Sequence, residues 1–273
     1  MPDYRSHLGS LRSLRTSGKR VAFFDLDRTL IAVYSAVPLL MEQVKARQVS
    51  WAGAAQQVFM ALGQSREVYE FEEVLDTAIG MLEGVDEQEF IRMGDRLFHK
   101  HLQKKIYVEA QELVDTHREL GHQLVIVSSA TRYQIDPVAE ALDIPHVLCT
   151  ELEVRNGKFT GVVKGAPCWA HGKRTAVDAW CEEHGIKLDN TWFYTDAIED
   201  LPLLDAVGHP VAVNPTRDLE DHARGAGWPV CKFRSRARPT LLDAARTGAM
   251  FGAMAPAILT GKAAKWLGAA DTH

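Results

Sequence analysis

The segment Phe24-Asp25-Leu26-Asp27-Arg28-Thr29-Leu30 sets two carboxylates two residues apart at the end of an apolar run. If that run is a strand, residues i and i+2 share one face, so Asp25 and Asp27 can address one point beyond the sheet. A second acidic pair, Asp196 and Asp200, stands in Tyr194-Thr195-Asp196-Ala197-Ile198-Glu199-Asp200-Leu201-Pro202. Four carboxylates around one pocket repel, since like charges ~4 Å apart cost about 4 kcal/mol at an effective dielectric of about 20. Such a cluster requires a cation, and an all-oxygen donor set suits Mg2+ better than Zn2+. Lys173 and Ser128 add an ammonium and a hydroxyl able to hold the oxygens of a phosphoryl group. Singly, each residue has an ordinary structural use: a strand-end Asp as a helix N-cap, Ser128 with Ser129 as its rival, a lysine at a solvated helix start. Together they specify phosphoryl chemistry at a metal site.

Four apolar segments must carry these groups: Arg20–Asp25, Leu124–Val127 before Ser128-Ser129, Trp192–Thr195 before Asp196, and Val211–Val213 before Asn214-Pro215. Each reads as a buried strand. Helical patterns at Val108–Leu120, Ile135–Leu142, Lys173–His184, Asp200–Val207 and Asp218–Ala226 alternate with them. The alternation predicts an α/β, Rossmann-like, doubly wound parallel sheet with its site beyond the carboxyl ends of the strands. Residues 35–104 break the rhythm with consecutive helical patterns, about Ser35–Arg47, Trp51–Leu62, Arg66–Leu82 and Asp86–His101, punctuated by Gly63 and Gly84. An inserted all-helical lid is expected there. Glu151–Val154, the turn Asn156-Gly157 and Phe159–Val163 predict a β-hairpin flap. The expected organisation is a discontinuous core at 18–34 and 105–230, a helical cap at 35–104, and a C-terminal tail at 231–273.

In order, Asp25-Leu26-Asp27-Arg28-Thr29, the hydrophobic strand ending at Ser128, Lys173, and Asp196 with Asp200 resemble the four motifs of the haloacid dehalogenase-like superfamily. The helical insert after the first motif resembles a type-1 cap and points to the phosphoserine phosphatase-like subclass. Tyr194–Asn214 and Gly165–Lys173 resemble its bacterial hydrolase branch. The resemblance implies a phosphoric monoester hydrolase with Asp25 as the nucleophile that forms an aspartyl-phosphate. Asp27 would protonate the leaving alcohol and then take a proton from the hydrolytic water. Mg2+ would be held by the Asp25 side chain, the Asp27 backbone carbonyl and Asp196, with Asp200 in support. Thr29 would buttress the loop, and Ser128, Ser129, Lys173 and Asn214 would line the phosphate site. Four positions depart from the family pattern. Arg28 stands where Gly or Ser is usual, Thr195 and Ala197 flank Asp196 where small residues are usual, and Tyr34 replaces the substrate-binding Glu of phosphoserine phosphatases. The implied substrate is a small phosphorylated metabolite, phosphoserine-like or histidinol-phosphate-like. The alternatives are a phosphotransferase sharing the aspartyl-phosphate step, a phosphatase of a lipid-derived phosphomonoester at a membrane surface, and a non-catalytic phosphate-binding tether.

The 273 residues are 46% hydrophobic and 25% charged, a globular composition that excludes a disordered or collagen-like chain. Charge is uneven: residues 1–20 carry five bases and one acid and residues 231–273 carry seven bases and two acids, which leaves a net −14 on residues 21–230. An acidic body offers no basic face to nucleic acid, and none is expected as a partner. Cys149, Cys168, Cys181 and Cys231 form no C-x-x-C pair, so reduced thiols are expected. No stretch reaches the ~18 apolar residues of a membrane span, and the N-terminus lacks a secretory apolar region. The expected location is cytoplasmic. In the tail, Lys232, Arg234, Arg236 and Arg238 precede an apolar segment followed by Lys262, Lys265 and Trp266. That pattern suits peripheral contact with the inner membrane face, or packing on the body or on a second subunit. The oligomeric state stays open.

Overall fold

The computed structural model describes residues 3–14, 18–45 and 75–234. They divide into two compact units, residues 3–14, 18–35, 94–152 and 163–234 in the first and 36–45, 75–93 and 153–162 in the second. The elements run α1 (Tyr4–Ser13), β1 (Val21–Phe24), α2 (Ala36–Lys45), α3 (Glu87–Leu97), α4 (Val108–Glu119), β2 (Gln123–Thr131), α5 (Arg132–Ala141) and β3 (His146–Thr150). There follow β4 (Leu152–Arg155), β5 (Lys158–Val163), α6 (His171–His184), β6 (Thr191–Thr195), α7 (Leu201–Leu204), β7 (His209–Val213), α8 (Arg217–Ala226) and β8 (Val230–Cys231).

Among the described residues the first unit holds a six-stranded sheet in the order β3-β2-β1-β6-β7-β8, parallel throughout. The chain leaves β1 toward β2 and β3 on one side and later fills β6, β7 and β8 on the other. The reversal at β1 and β6 opens a crevice at their carboxyl ends, where Asp25 and Asp196 follow the two strands. Helices cover both faces, which is why β1 is apolar at every position. Ala22 and Phe24 join a cluster with Leu8 and Leu11 of α1, Leu113 and Val114 of α4 and Val138 of α5. Val21 and Phe23 face the other way, onto Val177 and Trp180 of α6, Leu204 of α7 and Leu219 of α8.

The four expected strands are present as β1, β2, β6 and β7. Two strands and a helix were not expected. β3 is a short mixed segment at the sheet edge and β8 is two residues long, so both are set by pairing rather than by local pattern. α1 hides in the basic N-terminus: Arg5 and Arg12 stay exposed while Leu8 and Leu11 are buried. Leu8 and Leu11 of α1, Phe98, Leu102 and Phe233 all pack into the core of the first unit. Residues 94–104 group with this unit.

In the second unit the hairpin is bonded to the insert. Asn156 and Gly157 both take left-handed backbone (φ 53° and 74°), as a two-residue turn demands. The Gly84 amide donates to the Phe159 carbonyl at 2.9 Å, the Phe159 amide to Val85 at 3.0 Å, and the Glu87 amide to Gly157 at 2.9 Å. Phe90 and Phe159 meet edge to face with ring centroids 5.2 Å apart. The expected helix Trp51–Leu62, most of Arg66–Leu82, and the tail from residue 235 with Arg236, Arg238, Lys262, Lys265 and Trp266 lie outside the described residues. No described helix is long and apolar enough to cross a membrane, and the four cysteines are free thiols.

Tyr194 anchors the strand that leads into the crevice. Its hydroxyl lies 3.0 Å from His7 Nε2 and 2.8 Å from His117 Nε2, and His117 Nδ1 lies 2.7 Å from His122 Nδ1. Neutral rings, each with one donor and one acceptor, suit the Tyr194–His117–His122 links, while His122 Nε2 is buried without a protein partner. Burial, with a contribution from His209, lowers His7 to about 4. Burial with Arg20 and His209 nearby lowers His122 to about 4, and burial next to His122 holds His117 well below its ordinary value. Because the fold favours the neutral ring, this stability is fully present above the ordinary histidine value of 6.5 and is lost as pH falls toward 4. Linkage gives about 2 kcal/mol for His7 or His122 by pH 5. Urea unfolding at pH 7 and pH 5 is expected to show a loss of stability about 2 kcal/mol larger in the wild type than in His122→Leu; equal losses would contradict the assignment.

Candidate active site

After Phe24 the chain turns tightly. The amides of Leu30 and Ile31 both donate to the Leu26 carbonyl, at 2.9 and 3.1 Å, while buried Leu26 and Leu30 tie the loop to the core. Arg28 takes φ 60°, a left-handed backbone that a non-glycine residue adopts at a cost. Asp25 keeps the register of the sheet, its amide donating to the Tyr194 carbonyl at 2.9 Å.

Lys173 arrives from the first turn of α6. Gly172 makes the approach: a Cβ there would lie 1.9 Å from the Pro167 carbonyl oxygen, so no other residue fits without moving the backbone. The buried Lys173 Nζ donates to Asp25 Oδ1 at 2.7 Å and to Asp200 Oδ2 at 2.8 Å. Thr195 Oγ1 donates to the same Asp200 oxygen at 2.5 Å. Asp196 is paired differently, its Oδ2 lying 3.0 Å from Arg28 Nε. The far side of that guanidinium donates from Nη1 to the Tyr34 hydroxyl at 3.3 Å. Asp27 Oδ1 accepts the Ser35 amide at 2.9 Å; the Ser35 hydroxyl accepts Gln134 Nε2 at 3.1 Å; Gln134 Oε1 accepts the Thr131 amide and hydroxyl at 3.1 and 2.9 Å. A polar chain, buried from Ser35 onward, thus runs from Asp27 to the end of β2.

Charge is crowded here. Burial pushes Asp25 up to about 6, with Lys173 pulling against it. Burial and the neighbouring Asp25 push Asp27 up to about 7. Asp196 is raised well above the usual carboxylate range by burial, which Arg28 only partly offsets. Burial alone would lower Lys173, yet Asp200 and Asp25 outweigh it and hold the ammonium charged. Four carboxylates meet two cations, Lys173 and Arg28. The excess negative charge and the oxygen-only donors fit a hard divalent cation. Among the described residues no three acidic, histidine or cysteine side chains form a ready cage for one. Such an ion would therefore rest on Asp25 and Asp196 and complete its shell with backbone, water or substrate oxygens.

Of the residues expected in the site, Asp25, Lys173 and Asp200 are in direct contact. Asp200 Oδ2 accepts from both Lys173 and Thr195. Ser128 is buried just past Val127 of β2, its hydroxyl accepting the Ala130 amide at 3.2 Å, and the Ser129 carbonyl accepts the Thr150 hydroxyl at 2.9 Å. Asn214 Oδ1 accepts the Phe233 amide at 2.9 Å, fastening the chain beyond β8 to the end of β7. The Asn214 Nδ2 and the Thr29 hydroxyl are buried without a protein partner. Sequence reasoning missed the Arg28 ion pair, the Thr195 hydroxyl and the Ser35–Gln134 relay. Arg28 and Thr195 carried a signal, as residues that depart from the family pattern beside the acidic positions.

The sequence model of the haloacid dehalogenase-like hydrolase family matches residues 22–205. The chain is 31% identical over 221 residues to the histidinol-phosphatase of Neisseria meningitidis, covering 79% of this chain and 100% of that one. It is 30% identical over 264 residues to the phosphoserine phosphatase SerB1 of Mycobacterium tuberculosis, covering 93% and 85%. A solved Bordetella pertussis protein of unknown function superposes with a TM-score of 0.71 at 26% identity, over 79% of this chain and 99% of that one.

Proposed function

Since the chain belongs to the haloacid dehalogenase-like hydrolases and is a phosphatase of that type, we propose that it is a Mg2+-dependent phosphomonoesterase working through an aspartyl-phosphate. Its substrate is a small metabolite of the phosphoserine or histidinol-phosphate kind. The observation that carries this reading is the pair Asp25, buried, and Asp27, half-buried, one carboxylate held by Lys173 and the other by the Ser35 amide. Asp25 attacks phosphorus with the oxygen that Lys173 does not hold, forming the new P–O bond as the ester P–O bond breaks. Asp27, raised to about 7, carries the proton that the leaving alkoxide takes up. Once ionised, Asp27 removes a proton from the water that attacks the phosphorylated Asp25, and inorganic phosphate leaves with Asp25 regenerated. Two neighbouring carboxyls with separated proton affinities divide the acid and nucleophile roles in this way. Lys173 keeps Asp25 ionised and offers positive charge to the phosphoryl oxygens. Mg2+ held by Asp25 and Asp196 would supply further neutralisation of the phosphoryl charge.

The test is release of inorganic phosphate from p-nitrophenyl phosphate, phosphoserine and histidinol phosphate with Mg2+. Hydrolysis lost in EDTA and restored by Mg2+ is the expected result. No release from any of these in well-folded protein would overturn the enzymatic reading and favour a phosphate-binding tether.

A further inference from the structure

Arg28 does something in this site that its position in the loop does not require. Its Nε lies 3.0 Å from Asp196 Oδ2, while the Asp196 carboxylate is buried and the guanidinium only partly so. The other end of the group is held on the loop itself, by the Tyr34 hydroxyl at 3.3 Å, with the guanidinium carbon 5.7 Å from the centre of the Tyr34 ring. The residue also accepts a left-handed backbone, φ 60°, to stand there. A side chain clamped at its outer end by Tyr34 and at its inner end by a buried acid is a fixed charge placed on one carboxylate.

That carboxylate is one of the two on which a divalent ion would rest. Asp196 Oδ2 is taken up by the guanidinium, and a metal ion against the same carboxylate would meet a like charge, so the two compete for it. We propose that Arg28 is the resident counter-ion of Asp196, which Mg2+ must displace, and that it holds down the affinity of the site for the metal. Displaced from Asp196, the guanidinium stays near the site through Tyr34. The inference rests on the metal-dependent reading above and concerns how the ion is admitted.

Calorimetric titration of Mg2+ into the metal-free full chain tests it, with Arg28→Gln, Arg28→Gly and Arg28→Lys beside the wild type. Glutamine removes the charge and keeps much of the length; glycine suits the left-handed backbone; lysine keeps the charge. Expected are a Kd about tenfold tighter for the Gln and Gly variants, with Lys close to wild type. In the wild type the Arg28 Nε–Hε resonance, assigned by its loss in Arg28→Gln, should shift on adding Mg2+. Unchanged or weaker binding in Arg28→Gln and Arg28→Gly, or a resonance unmoved at Mg2+ saturation, would overturn the proposal while leaving metal dependence standing. Absence of Mg2+ binding in every protein, wild type included, would overturn both.

Discussion

Asp25→Asn is expected to lower phosphate release by roughly four orders of magnitude or more, the scale seen when a covalent nucleophile is removed. The amide oxygen can still accept the Lys173 ammonium that now bonds Asp25 Oδ1 at 2.7 Å, so the loop need not move. What disappears is the anion: an amide cannot attack phosphorus and is a poor partner for a divalent ion. Stability should not suffer in step. Burial already disfavours the Asp25 charge, pushing the carboxyl up to about 6, so a neutral isostere relieves crowding with Asp200 while weakening the pair with Lys173. Urea midpoints within about 1 kcal/mol of wild type are expected beside near-complete loss of turnover, a trade of function against strain. Asp27→Asn makes the informative companion. It keeps the nucleophile and removes the acid, so its loss should be far smaller with p-nitrophenyl phosphate, whose leaving group needs no proton, than with an alkyl phosphate. Retention of more than about one part in a hundred of activity by Asp25→Asn would refute the nucleophile assignment.

Lys173→Met is expected to cost about 3–5 kcal/mol of folding stability, because it strands two buried carboxylates without their cation. Lys173 is 3% exposed, Asp25 6% and Asp200 2%, so water cannot take over the lost contacts. Adding Asp200→Asn to Lys173→Met should restore a large part of the stability, since one of the stranded charges is gone. The two changes are then coupled by more than about 1 kcal/mol in a double-mutant cycle. Activity should stay absent in the double variant, because Asp25 still lacks the ammonium. Denaturant unfolding of the four proteins measures the cycle, and additive effects would mean that the bridge seen between α6 and the loop after β6 contributes little.

The parts of this protein that were legible in its sequence are those whose local pattern and tertiary role coincide. Strands buried on both faces read as uninterrupted apolar runs, so β1, β2, β6 and β7 could be located with the polar residues at their tips. β3 and β8 lie at the sheet edges, where short segments are recruited by a neighbour and carry no period of their own. α1 was masked by its bases: composition reports the net charge of a segment, whereas packing depends on which side Leu8 and Leu11 occupy. Within the site, Asp25, Asp27, Asp196 and Lys173 were visible as residue types at strand and helix ends. Their pairing was not. That Lys173 joins Asp25 to Asp200 across 148 and 27 positions of chain, and that Asp27 reaches Thr131 through Ser35 and Gln134, are long-range facts that spacing does not encode.

The backbone bonds joining Phe159 and Gly157 to residues 84–87 have a bearing on how this protein can diversify. The second unit is entered and left twice, at 35/36 and 93/94 and again at 152/153 and 162/163. Gly161, left-handed at φ 78°, lies so close to Gly80 that a Cβ there would come within 3.3 Å of its backbone. A lineage that acquired a new insert by recombination and kept its old hairpin would leave Phe159 without Phe90, the Phe159 and Gly157 carbonyls without donors, and the Phe159 amide without its acceptor. The two segments are heritable as a single module, and substitutions at positions 90 and 159 are bound to evolve together.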